Sequence, residues 1–264
     1  MSSEDISKIT EAVIEAFKNN PELLKPTAQN ISKASDTVTG LLNTALAPIE
    51  MLNFVVKEHK EKFMQSYHNK LHKIPESQKI EPKIEITGPI IENLKYKVTE
   101  ETLRETYAKL LASASDFFYS NEPLLSYNFV LNQISPKEID VLKYLHNKQD
   151  IPVAHIIAQN DNSKGYISLI DNIIVNPFGD LTDKSLSVIL SNLIRLGLIQ
   201  TSYTERILGV SVYEYVQNSP IFKQLKNKIE TEKEIEIKYP KLDFRKGILK
   251  MTSFGNSFCE IIFK

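Results

Sequence analysis

The stretch SLSVILSNLIRLGLIQ, residues 185–200, decides how the second half of the chain is read. Leu186, Ile189, Leu190, Leu193 and Ile194 recur at helical spacing and predict a helix with one buried face. Thr182 or Asp183 is placed to cap its start. Gly197, with Leu198 behind it, suits a left-handed C-terminal cap closed by an apolar contact. A capped helix ending in LxxLGLI, then a strand, a turn and a second strand, is the order of a winged helix.

The flanking segments fill in that plan. ISPKEI, residues 134–139, combines Ser135 as a cap, Pro136 at the first helical position and Glu138 as the return arm of a capping box. Ile134 and Ile139 stand at the two staple positions, so a helix starts here and the domain boundary is set just before it. GYISLIDNIIVNPFGD, residues 165–180, reads as loop or short strand. Ser219-Pro220 opens an inserted helix near 220–230 that carries Ile221, Leu225 and Ile229. EKEIEIKYP, residues 232–240, alternates at Ile235, Ile237 and Tyr239 as a strand with one wet face does. RKG at 245–247 reads as a hairpin turn, and Phe254, Phe258 and Ile262 return to helical spacing.

The first half reads as helices. Ile6, Ile9, Val13, Ala16 and Phe17 form one stripe; Ala28, Ile31, Val38, Leu41, Leu42, Ala45 and Leu46 form a second. Pro48 lacks the N–H for the bond to residue 44 and is expected to kink or restart the helix. Leu52, Val56, His59, Phe63, Tyr67 and Leu71 mark a long amphipathic helix. Residues 74–89 hold three prolines and are expected to run as extended chain. Thr99 then caps a helix with Leu103, Tyr107, Leu110, Leu111 and Ala114 on one side, slimmed by Ala112, Ser113 and Ser115. The expected fold is mainly α with a small β component: a helical region over 1–134 and a winged-helix-like region over 135–264.

Composition narrows the function classes. The 264 residues carry a formal net charge of −1, with −3 over residues 1–134 and +2 over 135–264, which is weak for a nucleic-acid-binding domain. One cysteine, Cys259, permits no intramolecular disulfide and suits a reducing compartment. The N-terminus has acids where a secretory leader needs basic residues, so a cytoplasmic location is expected. Among 8 glycines no phosphate-cradling loop is found, and no nucleophile–base–acid motif stands out, so no enzyme activity and no cofactor are expected.

Three stretches carry candidate sites. On the presumed recognition helix Lys184, Val188, Ser191 and Arg195 share the outward stripe, and Lys184, Ser185, Ser187, Asn192 and Arg195 are the residues that would contact DNA. His68 and His72 have the i, i+4 spacing of two metal ligands, but Lys70 and Lys73 crowd them and no third ligand is nearby, so no metal is expected. Residues 38–56 are long enough to cross a bilayer, but Glu50 there would cost about 3 kcal/mol. Two helical pieces around Pro48, buried against the helix of residues 99–115, are expected instead.

Several blocks of the chain carry a family resemblance. They are LLNTALAPIEMLNFVV (41–56), KIPESQKIEPKIEITGPIIENLKYKVTEETLRETYAKLLASASD (73–116), ISPKEIDVLKYL (134–145), LIRLGLI (193–199) and TSFGNSFCEII (252–262). With these the chain resembles the bacterial abortive infection alpha (Abi-alpha) family, departing mainly over 200–240. The resemblance implies a role in defence against bacteriophage, in which an infected cell stops growing before phage mature. It brings no catalytic residues and no cofactor. The expected function is a cytosolic, non-enzymatic interaction protein with a protein partner. Nucleic acid is the alternative partner, self-association is compatible, and action at a membrane through 38–56 is not expected.

Overall fold

The computed structural model describes residues 29–50, 54–160, 165–209, 211–231 and 241–263. The stripe expected over 6–17 and the strand expected over 232–240 lie outside the described residues. The chain divides into two compact units between Ile134 and Ser135.

The first unit is helical: α1 (Gln29–Glu50), α2 (Phe54–Lys73), α3 (Ile84–Leu94), α4 (Glu101–Ser113) and α5 (Leu124–Gln133). Val38, Leu42 and Leu46 of α1 are fully buried at i, i+4, i+8 spacing. Phe63, Tyr67 and Leu71 of α2 continue the core, with the Phe63 and Tyr67 rings stacked at 6.5 Å. α2 lies along α4, while α1 packs on α2 and α3.

Three expectations for this unit are corrected. Pro48 does not restart the helix, because α1 continues through it to Glu50. A proline that deep in a helix forfeits one backbone bond, a local loss that packing of α1 on α2 and α3, and not chiefly on α4, outweighs. The segment 74–89 is not extended throughout. After a short turn at Glu76–Gln78, α3 begins at Ile84 and includes Pro89, because Thr87, Ile90, Ile91 and Leu94 supply a buried helical face that extends past the proline-rich window. The cap of α4 is Glu100 rather than Thr99, since the turn closed by Glu100 N–H on the Lys97 carbonyl shifts the start by one residue.

The second unit contains α6 (Pro136–His146), β1 (Ile151–Gln159), β2 (Tyr166–Ile173), α7 (Asp183–Arg195), β3 (Ile199–Ser202), α8 (Glu214–Asn218), α9 (Pro220–Thr231), β4 (Lys241–Met251) and α10 (Ser253–Phe263). The molecule is therefore mainly helical, and its described residues include a four-stranded antiparallel sheet in the order β2-β1-β4-β3. The capping box forms as expected: Ser135 Oγ accepts from Glu138 N–H, and Glu138 Oε2 accepts from Ser135 N–H at 2.7 Å. Thr182 caps α7, taking the Ser185 N–H. Gly197, at φ 72°, ends α7 in a Schellman turn, with Leu198 N–H bonded to Leu193 O and Gly197 N–H to Ile194 O.

One expectation here is overturned. RKG at 245–247 is not a hairpin turn, because β4 runs straight through it, paired to β1 from Ile151↔Leu249 to Gln159↔Lys241. Gly247 is required for another reason. A Cβ there would lie 2.5 Å from the Ser202 carbonyl and 2.6 Å from the Tyr203 ring, so the glycine lets that ring cross the sheet. The link from β3 to β4 includes α8 and α9. Val216 and Phe222 from these helices pack on Ala154, Ile156 and Ile173, covering one sheet face.

Candidate functional site

Strand β2 does not pair evenly with β1. Ala154 pairs Ile173 and Ile156 pairs Ile170, so Asp171 and Asn172 together oppose His155. A second skip passes over Leu169, since Ile157 pairs Ser168. Such bulges bend a strand and re-aim its side chains. Asn172 takes the left-handed conformation, φ 56°, which asparagine tolerates better than most residues. The Tyr203 hydroxyl holds it there, donating to Asn172 Oδ1 at 3.1 Å and accepting from Asn172 N–H at 3.3 Å. Burial pushes the Tyr203 phenol up to about 12.

The bulge brings three polar side chains together. His155 Nε2 lies 2.8 Å from Ser168 Oγ and 3.0 Å from Asp171 Oδ1, and Ser168 Oγ donates to Asp171 at 3.1 Å. A nucleophilic relay needs serine and carboxylate on opposite ring nitrogens. Here both meet Nε2, so this arrangement clamps the ring instead. Burial lowers the His155 imidazole from its ordinary value; Asp171 pulls it up and Arg245 pushes it down. The Tyr166 and Tyr203 rings stand edge-on to the imidazole at 6.1 and 5.6 Å. Arg245, paired with His155 across the strands, donates from Nη1 to the Tyr166 hydroxyl at 2.8 Å, its guanidinium 5.6 Å from that ring centre.

None of these residues belongs to a candidate site of the sequence, because they come from three strands and a loop and assemble only through the bulge. The alternation of Tyr166 and Ser168 on one side of β2 was the available signal.

The residues expected to touch DNA sit differently on α7. Lys184 and Ser185 are exposed, the latter with Oγ 2.8 Å from Thr182 Oγ1. Ser187 is buried and donates to the Asp171 carbonyl, which turns it away from any ligand on the outer face. Asn192 ties α7 to α6 by donating to Glu138 Oε1 at 2.5 Å, and its own oxygen accepts from Arg195 Nη2 at 2.7 Å. Val188 remains 63% exposed between Lys184 and Ser191 on the outer stripe.

His68 Nε2 lies 2.8 Å from Ser35 Oγ and His72 is exposed. Among the described residues no group of three or more His, Cys, Asp or Glu side chains is placed to hold a metal ion. Cys259 is fully buried, and that burial, with Glu260 adding to it, pushes its thiol up to about 12, as a packed core thiol requires. Among the described residues no helix is long and apolar enough to cross a membrane.

Comparison with solved structures finds an uncharacterized protein from the hydrocarbon-degrading marine bacterium Alcanivorax borkumensis SK2, 17% identical, covering 53% of this chain and 94% of that one at a TM-score of 0.37. No curated protein matches the chain. The abortive infection alpha family model matches residues 56–262, and the chain belongs to that family.

Proposed function

We propose that this protein acts in abortive infection, the phage defence its family is named for, as a cytosolic, non-enzymatic interaction protein. Family membership over residues 56–262 carries this reading. The sheet face of the second unit supports it: the His155 ring is fixed by Ser168 and Asp171, and Tyr166 and Arg245 are joined beside it at the surface. Side chains held this way are preorganised for recognition. An infection assay that counts surviving cells alongside phage, with and without the protein, tests the defence role. Unchanged phage yield and unchanged survival would remove it. Pull-down from infected and uninfected cells tests the interaction role. Loss of protection on replacing one acid–base pair, with partners retained, would favour an enzyme instead. Membrane flotation is expected to leave the protein out of the lipid fraction; recovery there, resistant to high salt, would contradict a cytosolic role.

A second reading rests on the outer face of α7. In this reading α6, α7, β3 and β4 follow the order of a winged helix, with the β1–β2 hairpin and α8–α9 inserted. α7 is then the recognition helix, contacting DNA through Lys184, Ser185 and Arg195 beside Val188. A band shift with the protein's own promoter at low salt separates the two readings, because even non-specific phosphate contacts strengthen there.

A further inference from the structure

The composition of the sheet face around His155 points to a class of ligand that the defence reading does not name. The strand register sets it out in rows. Tyr166, Gln159 and Lys241 lie abreast; Ser168, Ile157 and Asp243 form the next row, and His155 and Arg245 pair in the third. Residues two apart on a strand share a face, so these rows present one surface. Arg245 crosses it to reach the Tyr166 hydroxyl. Tyr166 is 44% exposed, Arg245, Lys241 and Ser168 are exposed, and Ile157 lies buried between them.

The charges are unevenly committed. Asp171 is engaged by His155 and Ser168, and Asp243 accepts from the Phe244 N–H. Arg245 forms no ion pair with a carboxylate among the described residues; its partner is the phenol of Tyr166. A guanidinium locked against an exposed aromatic ring, with a second cation two rows along, suits a ligand that joins a flat π-system to an anion. The ring takes a base by stacking, and the guanidinium, a planar fork of donors, takes phosphate oxygens. Exposed aromatics on an antiparallel sheet are a recurring platform for unstacked bases.

We infer that this sheet face binds a phosphorylated nucleoside, free or as a residue of single-stranded nucleic acid, with the base on Tyr166 and the phosphate on Arg245. The inference goes beyond the defence reading and stands independently of it.

The test uses the full chain and fluorescence anisotropy with a labelled single-stranded RNA and a DNA of the same mixed sequence, about 12 nucleotides long, at about 50 mM salt. Unlabelled nucleoside monophosphates serve as competitors. The expected result is saturable binding, weakened about tenfold by Tyr166→Ala and by Arg245→Ala. Arg245→Ala also lowers the slope of log affinity against log salt by about 0.7, which Tyr166→Ala leaves unchanged. Competition by monophosphates at comparable concentration identifies a free nucleotide as the ligand; competition only by the oligonucleotide identifies the nucleic acid. Both side chains lie at the surface, and thermal melting by circular dichroism verifies that the variants fold; Arg245→Lys, which keeps the charge, is expected to keep the salt slope. Absence of binding by oligonucleotide and mononucleotide alike overturns the inference. So does binding that survives Tyr166→Ala and is lost on Lys184→Ala, which places the ligand on α7. Absence of phage protection with nucleotide binding intact counts against the defence reading alone.

Discussion

Replacing Gly255 with alanine is expected to destabilise the second unit, although alanine is the better helix former. Gly255 lies in the first turn of α10, where its N–H donates to Thr252 Oγ1 at 2.9 Å. A Cβ there would lie 1.9 Å from the Leu198 carbonyl oxygen, 2.7 Å from its carbonyl carbon and 3.0 Å from its Cα. Those are backbone atoms, so no rotamer change relieves the clash. The Leu198 carbonyl is itself fixed by the Thr252 N–H at 3.0 Å, and the Leu198 N–H closes the Schellman turn of α7. Relief therefore means moving α10 off that turn and losing the Thr252 bond. Overpacking contributes about 1–3 kcal/mol and the broken bond about 1 kcal/mol, against a helix-propensity gain of about 1 kcal/mol. The net loss is about 1–3 kcal/mol, which lowers Tm by about 3–10 °C. Gly40 is the internal control. It is exposed in α1 with nothing within 4 Å of an added Cβ, so Gly40→Ala is expected to raise stability by about 0.5–1 kcal/mol. Thermal melts followed by circular dichroism measure both. A Gly255→Ala protein that melts at or above the parent would refute the argument, since only the close approach to Leu198 opposes the propensity gain.

Three other outcomes follow from local geometry. Ser135→Ala removes the acceptor for Glu138 N–H and is expected to lower stability by about 1 kcal/mol in urea denaturation, with Pro136 and the helix itself retained. Asn172→Val places a β-branched residue at φ 56° and is expected to melt several degrees below Asn172→Gly, which keeps the backbone and loses only the side-chain bonds; equal melting would mean the bulge carries no strain. Because the folded His155 imidazole is held below its ordinary value, the unfolded chain takes up the proton first as pH falls. Stability from this group is complete above about pH 6.5 and declines as pH falls through the folded value. His155→Gln should therefore flatten the acid limb of a urea-midpoint series, and parallel limbs would contradict the assignment.

Local motifs were legible in sequence because their atoms are neighbours in the chain. Ser135, Pro136 and Glu138 satisfy one helix start among themselves, and Thr182 with Gly197 does the same for both ends of α7. The Phe63–Tyr67–Leu71 stripe was legible because helical period translates directly into burial. The segment IPVAHIIAQ carries no clear strand signal in sequence. It lies between β2 and β4, is buried on both faces, and therefore lacks the alternation that marks a half-exposed strand. RKG misled for a related reason: Gly247 serves a ring supplied by Tyr203, 44 residues earlier, which no local window contains. The His155 surface was hidden altogether, since its partners meet only once β2 has skipped residues against β1.

The same skips bear on how readily strand β2 can pair with another chain. Among the described residues β2 is an edge strand, and its sequence, YISLIDNI, holds no lysine or proline to deter a passing chain. A straight strand of that composition would be a template for another copy. Two irregularities within eight residues break the row of outward amides, and α7 takes the Asp171 carbonyl through Ser187. An incoming strand finds at most a few consecutive groups in register before the edge turns away. Deleting Asn172, which restores an even ladder opposite His155, would therefore expose the chain to edge-to-edge polymerisation even where the fold survives.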